Sequence, residues 1–418
     1  MSSGDTAWLL VSAALVLFMT VGLAFFYGGM ETERNVLDML AMNFFTITLV
    51  TILWALLGFT VAFGPDVGHG FIGNFHYFAL NNMGGIWPGT HVPKLAFMVF
   101  QMMFAIITPA LVTGAVAGRM KFSAWIAFCA VWSVVVYPII AHWVFDPQGW
   151  IYRLGARDFA GGTVVHASAG AAALVLVLVL GPRSKDARAN YPTRSVPFVL
   201  LGAGILWFGW FGFNGGSALG ANALAVSAFA TTQLAASSAC LGWAVLEKLF
   251  TGKTTVIGMA TGAVVGLATV TPASGYVGMV PALIIGLVAS GACFAAIHFA
   301  EQFTKFDDTF GVAAVHGVGG CLGMLLLGLF AHFTINRAGL TSSTNEHING
   351  LFFGDPTFLW HQVIAVAAVV GFTVTVTYLV AAAIKATIGL RVSETVQEDI
   401  GLGAAFDAET STTNQVPA

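Results

Sequence analysis

Two histidines occupy matching positions in two apolar stretches that each begin with an aspartate. The first stretch is Asp158–His166 and the second is Asp308–His316, with eight positions between carboxylate and imidazole in both. Eight residues make about two turns of an α-helix. Aspartate often begins a helix, because its carboxylate accepts hydrogen bonds from the free N–H groups of the first turn. We therefore expect each aspartate to begin a helix and each histidine to lie two turns inside it.

An imidazole in an apolar helix can bind and pass on a proton. It titrates near pH 6.5 and, when neutral, has one donor and one acceptor nitrogen. Within a membrane such a group is by default a functional site. Small residues let helices approach closely in lipid, so the two histidine helices should pack together and bring the imidazoles into contact. The small residues are Gly161, Gly162 and Gly170 in one stretch, and Gly311, Gly317, Gly319, Gly320 and Gly323 in the other.

The composition predicts an all-α polytopic membrane protein. Of 418 residues, 57% are hydrophobic and only 8% are charged, and the mean hydropathy is +0.85. Soluble domains carry about 25% charged residues. The net charge of −3 gives no indication of a nucleic-acid partner. The four cysteines lie within apolar runs without metal-ligand spacing, so we expect neither a metal site nor a cofactor.

The apolar runs predict eleven spans in a transmembrane domain at 1–388, followed by a cytoplasmic tail at 389–418. The expected spans are roughly 7–29, 39–63, 94–117, 123–145, 160–181, 196–217, 223–250, 255–271, 280–300, 309–334 and 358–388.

The basic residues predict the orientation of the chain. Twelve of the sixteen Lys and Arg residues fall in one set of connections, which should be cytoplasmic. The N-terminus is then outside and the C-terminus inside. The twelve are Arg34, Arg119, Lys121, Arg183, Lys185, Arg188, Arg194, Lys248, Lys253, Lys305, Lys385 and Arg391.

This orientation gives the two aspartate–histidine stretches opposite directions. Five spans separate them, so Asp158 begins the fifth span at the outer face and Asp308 begins the tenth at the inner face. The pattern predicts an inverted repeat of five plus five spans, with halves at about 7–181 and 196–334 and an eleventh helix outside the repeat. Chance occurrence of two such stretches is the alternative.

Aromatic residues cluster where we expect the outer mouth. Most aromatics in such a chain serve packing or the membrane interface. Clustered rings can also hold a small cation through attraction to their faces, and a serine hydroxyl adds an oxygen acceptor. The cluster comprises Phe100 and Phe104 in the third span, Phe145 at the end of the fourth, and Trp210, Phe211, Phe213 and Ser217 at the end of the sixth.

These residues resemble the ammonium transporter family (Amt/Mep/Rh), and its Amt branch in particular. The resemblance covers nearly the whole chain. It rests on Asp158–His166, Gly209–Ser217, Thr271–Tyr276, His316–Gly320, Gly389–Val392, Phe25–Gly29, Arg34 and Asn35.

The resemblance implies a homotrimer in the cell membrane with one pore per subunit. Ammonium or ammonia would be the substrate, with methylammonium as a candidate, and a PII-type signalling protein would be a candidate partner at the cytoplasmic face. Phe104, Phe145 and Ser217 would recruit ammonium at an outer vestibule, which the carboxylate of Asp158 would shape from below.

By the same resemblance, three rings would form a stacked phenyl gate and the two histidines would bond ring to ring in the pore. The gate would comprise Phe100, Phe104 and Phe213, and the pore pair would be His166 and His316. Asp308 would be the helix-start carboxylate of the second half.

Three positions depart from the family pattern. Phe145 stands where Trp is usual, which predicts a weaker cation site. The first inner loop contains Glu31 and Glu33 where the family is usually basic, and the tail reads Gly401–Asp407 where a Gly-Leu-Asp string is usual. The last two departures concern the cytoplasmic face and regulation.

The expected function is electrogenic ammonium uptake: NH4⁺ is recruited outside and deprotonated, and NH3 crosses the apolar middle. A bare ammonium ion would lose its water at a prohibitive cost. The alternatives are a passive NH3 channel, an ammonium sensor that uses the same pocket, and a membrane haem protein with the two histidines as axial ligands. We do not expect an enzyme, because no nucleophile–base pair accompanies the histidines.

Overall fold

The protein is described by a computed structural model over residues 1–186, 193, 195–342, 346–397 and 402. Regular secondary structure in these ranges is helical, apart from isolated β-bridges. The long helices are α1 Ser3–Met30, α2 Val36–Phe63, α3 Lys94–Val116, α4 Phe122–Val135, α5 Tyr137–Phe145, α6 Trp150–Leu154, α7 Gly162–Leu180, α8 Val196–Gly216, α9 Ala223–Thr251, α10 Val256–Val270, α11 Met279–Phe303, α12 Ala313–Phe330 and α13 Pro356–Thr387.

Among the described residues, ten helical segments are long and apolar enough to cross a membrane, which confirms the multi-pass helical class. The segment expected at 255–271 is the shorter apolar helix α10, of 15 residues. The span expected at 123–145 is broken at Val136, between α4 and α5. Pro138 explains the break, because its missing N–H removes one bond of the helical ladder.

Helices α7 and α12 begin in the same unusual way. Each opens with a six-residue π-helical turn, Gly162–Ala167 and Ala313–Val318, and each turn contains one of the two histidines. Gly161 has φ of 112° and Gly311 has φ of 72°, three positions after the respective aspartate. Both glycines adopt a backbone conformation that side chains disfavour, so the two stretches match in conformation as well as in sequence.

Close helix contacts depend on small residues. Gly202 of α8 lies against the backbone of Phe26 in α1, and Gly29 of α1 lies against Val199. Gly170 of α7 likewise meets the backbone of Gly317 in α12. These contacts fit the expectation that glycine permits close approach in lipid. Large apolar side chains cover the outside of the bundle, as a lipid-facing surface requires.

The start of the tail packs on one end of the bundle. The N–H of Lys121 donates to Leu390 O at 2.9 Å, and the N–H of Val392 donates to Arg119 O at 3.0 Å. The Arg391 guanidinium donates to Leu180 O at 3.1 Å. Apart from 389–397 and Leu402, the expected tail lies outside the described residues, including most of the Gly401–Asp407 string, as do Arg188 and Arg194.

Candidate functional site: a ring-lined passage with paired histidines

His166 and His316 meet ring to ring in the interior of the bundle. Their Nδ1 atoms lie 3.2 Å apart, and the rings are nearly parallel, at an interplanar angle of 19°. Only 1% of His166 and 2% of His316 is exposed. One Nδ1 must carry the shared proton and the other must accept it. Nε2 of His166 is buried without a hydrogen-bond partner among the described residues, so it remains available to a small polar molecule.

The start of α7 is held by Asp158. Its Oδ1 accepts hydrogen bonds from the N–H groups of Gly161 and Gly162, both at 2.7 Å. Its Oδ2 accepts from the N–H and the hydroxyl of Thr163, also at 2.7 Å. The side chain is the helix-start group that the sequence predicts, and four donors fix it as a carboxylate that positions the turn containing His166.

The aromatic residues of the expected gate form a column that leads to the histidines. The rings of Phe100 and Phe104 lie 4.9 Å apart, and the ring of Phe104 stacks on Phe213 at 4.1 Å. Phe213 in turn lies 6.0 Å from the imidazole of His166. All three phenylalanines are at most 1% exposed. A permeating molecule must displace these rings to reach the imidazole pair.

The other residues of the expected mouth have different surroundings. Ser217 is half-buried at the end of α8, and its hydroxyl donates to Phe213 O at 2.8 Å, which leaves the oxygen lone pairs free to accept. Phe145 is half-buried at the end of α5 and, among the described residues, stacks on neither Phe104 nor Phe213. Phe211 faces away from the column and stacks on Phe229 at 3.8 Å.

Sequence reasoning missed the role of Trp210 as a wall of the histidine site. We expected this residue in the mouth cluster, but its ring stacks on His166 at 5.4 Å, beyond the phenylalanine column. Its Nε1–H donates to the Thr271 hydroxyl at 2.9 Å, which fixes the indole. The one-turn spacing between Trp210 and Phe213 could have placed them on one face of α8.

A narrow cavity continues beyond His316. Its volume is about 20 Å³, which holds about one water-sized molecule. It is closed at the far end by the stacked rings of Tyr27 and Phe310, 5.5 Å apart. The lining is mainly apolar and comprises Leu23, Phe26, Tyr27, Leu111, Leu206, Trp210, Thr261, Val264, Phe310, Val315 and His316.

A second cavity of about 860 Å³ lies at the end of the bundle where α9 and α11 end and α10 and α12 begin. It shares Thr261 and Phe310 with the narrow cavity, so the two adjoin. Asp308, Glu247 and Glu301 lie in its wall. Within the described residues no cluster of three or more His, Cys, Asp or Glu side chains could hold a metal ion.

Known proteins share this sequence and this architecture. The sequence profile of the Ammonium Transporter Family matches residues 7–409. An ammonium transporter of Aquifex aeolicus is 44% identical over 411 residues, which cover 98% of this chain and 93% of that protein.

Two solved structures are similar throughout. The crystal structure of Saccharomyces cerevisiae Mep2 superposes with a TM-score of 0.87 at 32% identity, covering 94% of this chain and 91% of the other. A structure described as a sensor Amt protein superposes with a TM-score of 0.86 at 29% identity, covering 96% of this chain and 98% of the other.

Proposed function

This chain belongs to the ammonium transporter family, a multi-pass protein of the cell membrane, and we propose that it conducts ammonium by deprotonation and passage of NH3. The observation that carries this proposal is the 3.2 Å contact between the buried imidazoles of His166 and His316, directly above an apolar cavity of about 20 Å³. A cavity of that size excludes a hydrated ion, and a bare ion in apolar surroundings is prohibitively costly. A neutral molecule does not face this cost.

Recruitment of NH4⁺ is assigned to the mouth formed by Phe104, Phe145 and Ser217. Ring faces attract the cation, and the Ser217 oxygen can accept one of its N–H groups. Asp158 supports this site from below as a positioning residue, because its oxygens are already occupied by backbone and hydroxyl donors. The gate of Phe100, Phe104 and Phe213 then admits the substrate one molecule at a time.

The proton is assigned to the histidine pair. The two Nδ1 atoms share one proton, and the outward-facing nitrogens can receive and release another as the shared proton changes sides. If the proton of NH4⁺ travels through this pair while NH3 travels beside it, the net event is the transfer of one positive charge. Transport is then electrogenic and can accumulate substrate.

The architecture proposed for this function has eleven spans: the ten long helices and α10. The N-terminus is outside and the C-terminus inside, on the evidence of the basic connections. Residues 1–388 form the transmembrane domain, with inverted halves at about 7–181 and 196–334, and 389–418 form the tail. We further propose a homotrimer, and a PII-type signalling protein as the partner at the inner face.

The test is the ammonium-evoked current on a solid-supported membrane that carries purified, folded protein. We expect a saturable current in the wild type, and its loss in His166→Ala and His316→Ala. His91→Ala, a change at an exposed histidine, is the control and should keep the current. Current that persists in both pore variants would refute the relay.

Two alternatives have distinct outcomes in the same preparation. A passive NH3 channel would give an internal pH change on an ammonia gradient without current. An ammonium sensor, favoured by the likeness to the structure described as a sensor Amt protein, would bind ammonium with neither current nor flux.

A further inference from the structure

The two helix-start carboxylates are matched in sequence but not in their hydrogen bonds. Asp158 accepts four, from three N–H groups and one hydroxyl. Asp308 accepts from the N–H of Ala313 through Oδ2 at 2.6 Å. Oδ1 of Asp308 is closed from solvent, and among the described residues no donor reaches it in hydrogen-bonding geometry.

The cause of this difference is one residue. Five positions after the aspartate, the first stretch has Thr163 and the second has Ala313. The hydroxyl of Thr163 bonds Asp158 at 2.7 Å, whereas Ala313 offers Asp308 only its backbone N–H. A carboxylate with fewer donors is less stabilised in its ionised form. The chain therefore places a less ionised carboxyl group at the second position.

Asp308 also stands where a proton could be used. It lies in the wall of the 860 Å³ cavity that adjoins the narrow cavity at Thr261 and Phe310. The other carboxylates in that wall differ from it. Glu247 is bonded to the N–H and the hydroxyl of Thr255, both at 2.7 Å, and Glu301 is exposed. Asp308 is the shielded carboxyl group among these three.

The neighbouring charges leave Asp308 without a direct cationic partner of its own. The guanidinium of Arg119 donates to the Thr309 hydroxyl and to the Ala115 and Asp307 carbonyls. Arg183 donates to both carboxylate oxygens of Asp307. These cations are therefore committed to other acceptors.

We propose that Asp308 exchanges protons with the substrate at the inner end of the pathway. This inference rests on the proposed function. When NH3 emerges past Phe310, the O–H bond of the Asp308 carboxylic acid breaks and the nitrogen lone pair takes the proton. NH4⁺ and a carboxylate result. The carboxylate then takes the proton that the outer site removed from NH4⁺, which restores the acid for the next molecule.

The titration of this group agrees with that assignment. Burial raises the pKa of the Asp308 carboxyl to about 6, while the N–H groups of Ala313 and Val312 and the charge of Arg119 lower it and Asp307 raises it. The other titratable groups that face it are Tyr27, and along the cavity Glu247, Glu301 and His298.

The test substitutes Ala313→Thr, which would give Asp308 the hydroxyl partner that Thr163 gives Asp158. Ala313 is half-exposed toward the cavity, so the larger side chain has room. We expect the wild-type current to depend on inner pH with a midpoint near 6. Ala313→Thr should move that midpoint about one pH unit lower, because an additional donor stabilises the carboxylate. Ala296→Thr, another half-buried alanine of the same cavity, should leave the midpoint unchanged.

A second measurement does not depend on transport. Infrared titration of the folded protein should show a protonated carboxyl band that disappears as the pH rises through about 6 and that is absent in Asp308→Asn. An unchanged midpoint in Ala313→Thr, or the lack of this band, would overturn the inference. A titrating band in a wild-type protein without current would instead count against the proposed function and leave the proton-exchanging carboxyl in place.

Discussion

Gly170 and Gly317 touch backbone to backbone where α7 and α12 cross, one turn beyond His166 and one residue beyond His316. A methyl group on Gly170 would overlap the backbone nitrogen and Cα of Gly317. The 3.2 Å contact between the imidazoles therefore depends on the absence of a side chain at this crossing.

Replacing Gly170 by alanine should separate the histidine helices. Because the clash is with backbone, the helices must shift, at a cost of about 1–3 kcal/mol. We expect a lower melting temperature in detergent and a loss of ammonium-evoked current. Gly204→Ala is the control, since a methyl group there meets no atom within 4 Å. Equal melting temperatures and currents in the two variants would contradict the prediction.

Replacing Asp158 by asparagine should destabilise the start of α7. The substitution removes the charge and turns an NH2 group toward donors that now bond the carboxylate. Hydrogen bonds to charged groups contribute about 1.5–3 kcal/mol each, so the loss should exceed about 3 kcal/mol. The measurement is the melting temperature of the purified protein. Asp308→Asn, in which one bond is affected, should cost less; the reverse order would be inconsistent with the hydrogen-bond pattern.

Replacing Phe145 by tryptophan should strengthen substrate recruitment. Tryptophan attracts cations more strongly than phenylalanine, by about 0.5–1 kcal/mol at exposed sites. We expect the half-saturating ammonium concentration of the current to fall about two- to five-fold with the maximal current unchanged. Phe75→Trp, at a ring that is 70% exposed on another part of the surface, should change neither quantity. An unaltered half-saturation in Phe145→Trp would remove Phe145 from the recruitment site.

The ion cluster around Asp307 should resist acid. Burial alone would raise the pKa of this carboxyl, but the bonds and charge of Arg183, with Arg119, outweigh it and lower the pKa to about 2. A carboxyl with a lowered pKa contributes stability above its unfolded pKa, and this contribution is lost as the pH falls toward the folded value. The contribution should be on the order of 2 kcal/mol near neutral pH.

The difference in melting temperature between wild type and Asp307→Asn measures this contribution. It should be constant above about pH 5 and shrink as the pH is lowered toward 2. Asp186→Asn, at an exposed residue of the neighbouring loop, should give no such difference. A difference that is independent of pH down to 3 would disprove the assigned pairing.

Much of the fold could be predicted from the sequence because lipid restricts the choices. Long apolar runs in a membrane must be helices that satisfy their own backbone groups. The pairing of His166 with His316 was also predictable, since the matched aspartates and the glycines on both helices indicate two similar stretches packed closely. The break at Val136 was missed, although Pro138 was a signal for it.

Tertiary structure decided the features that depend on rotation and register between helices. The spacing of Trp210 on α8 fits either the mouth or the wall of the histidine site, and only the packing of α8 against α7 put its indole on His166. Packing likewise turned Phe211 toward Phe229. The sequence alone determined that two carboxylates begin two histidine helices. The folded chain decided that Asp158 has four donors and Asp308 has one, because hydrogen bonds depend on where neighbouring groups point.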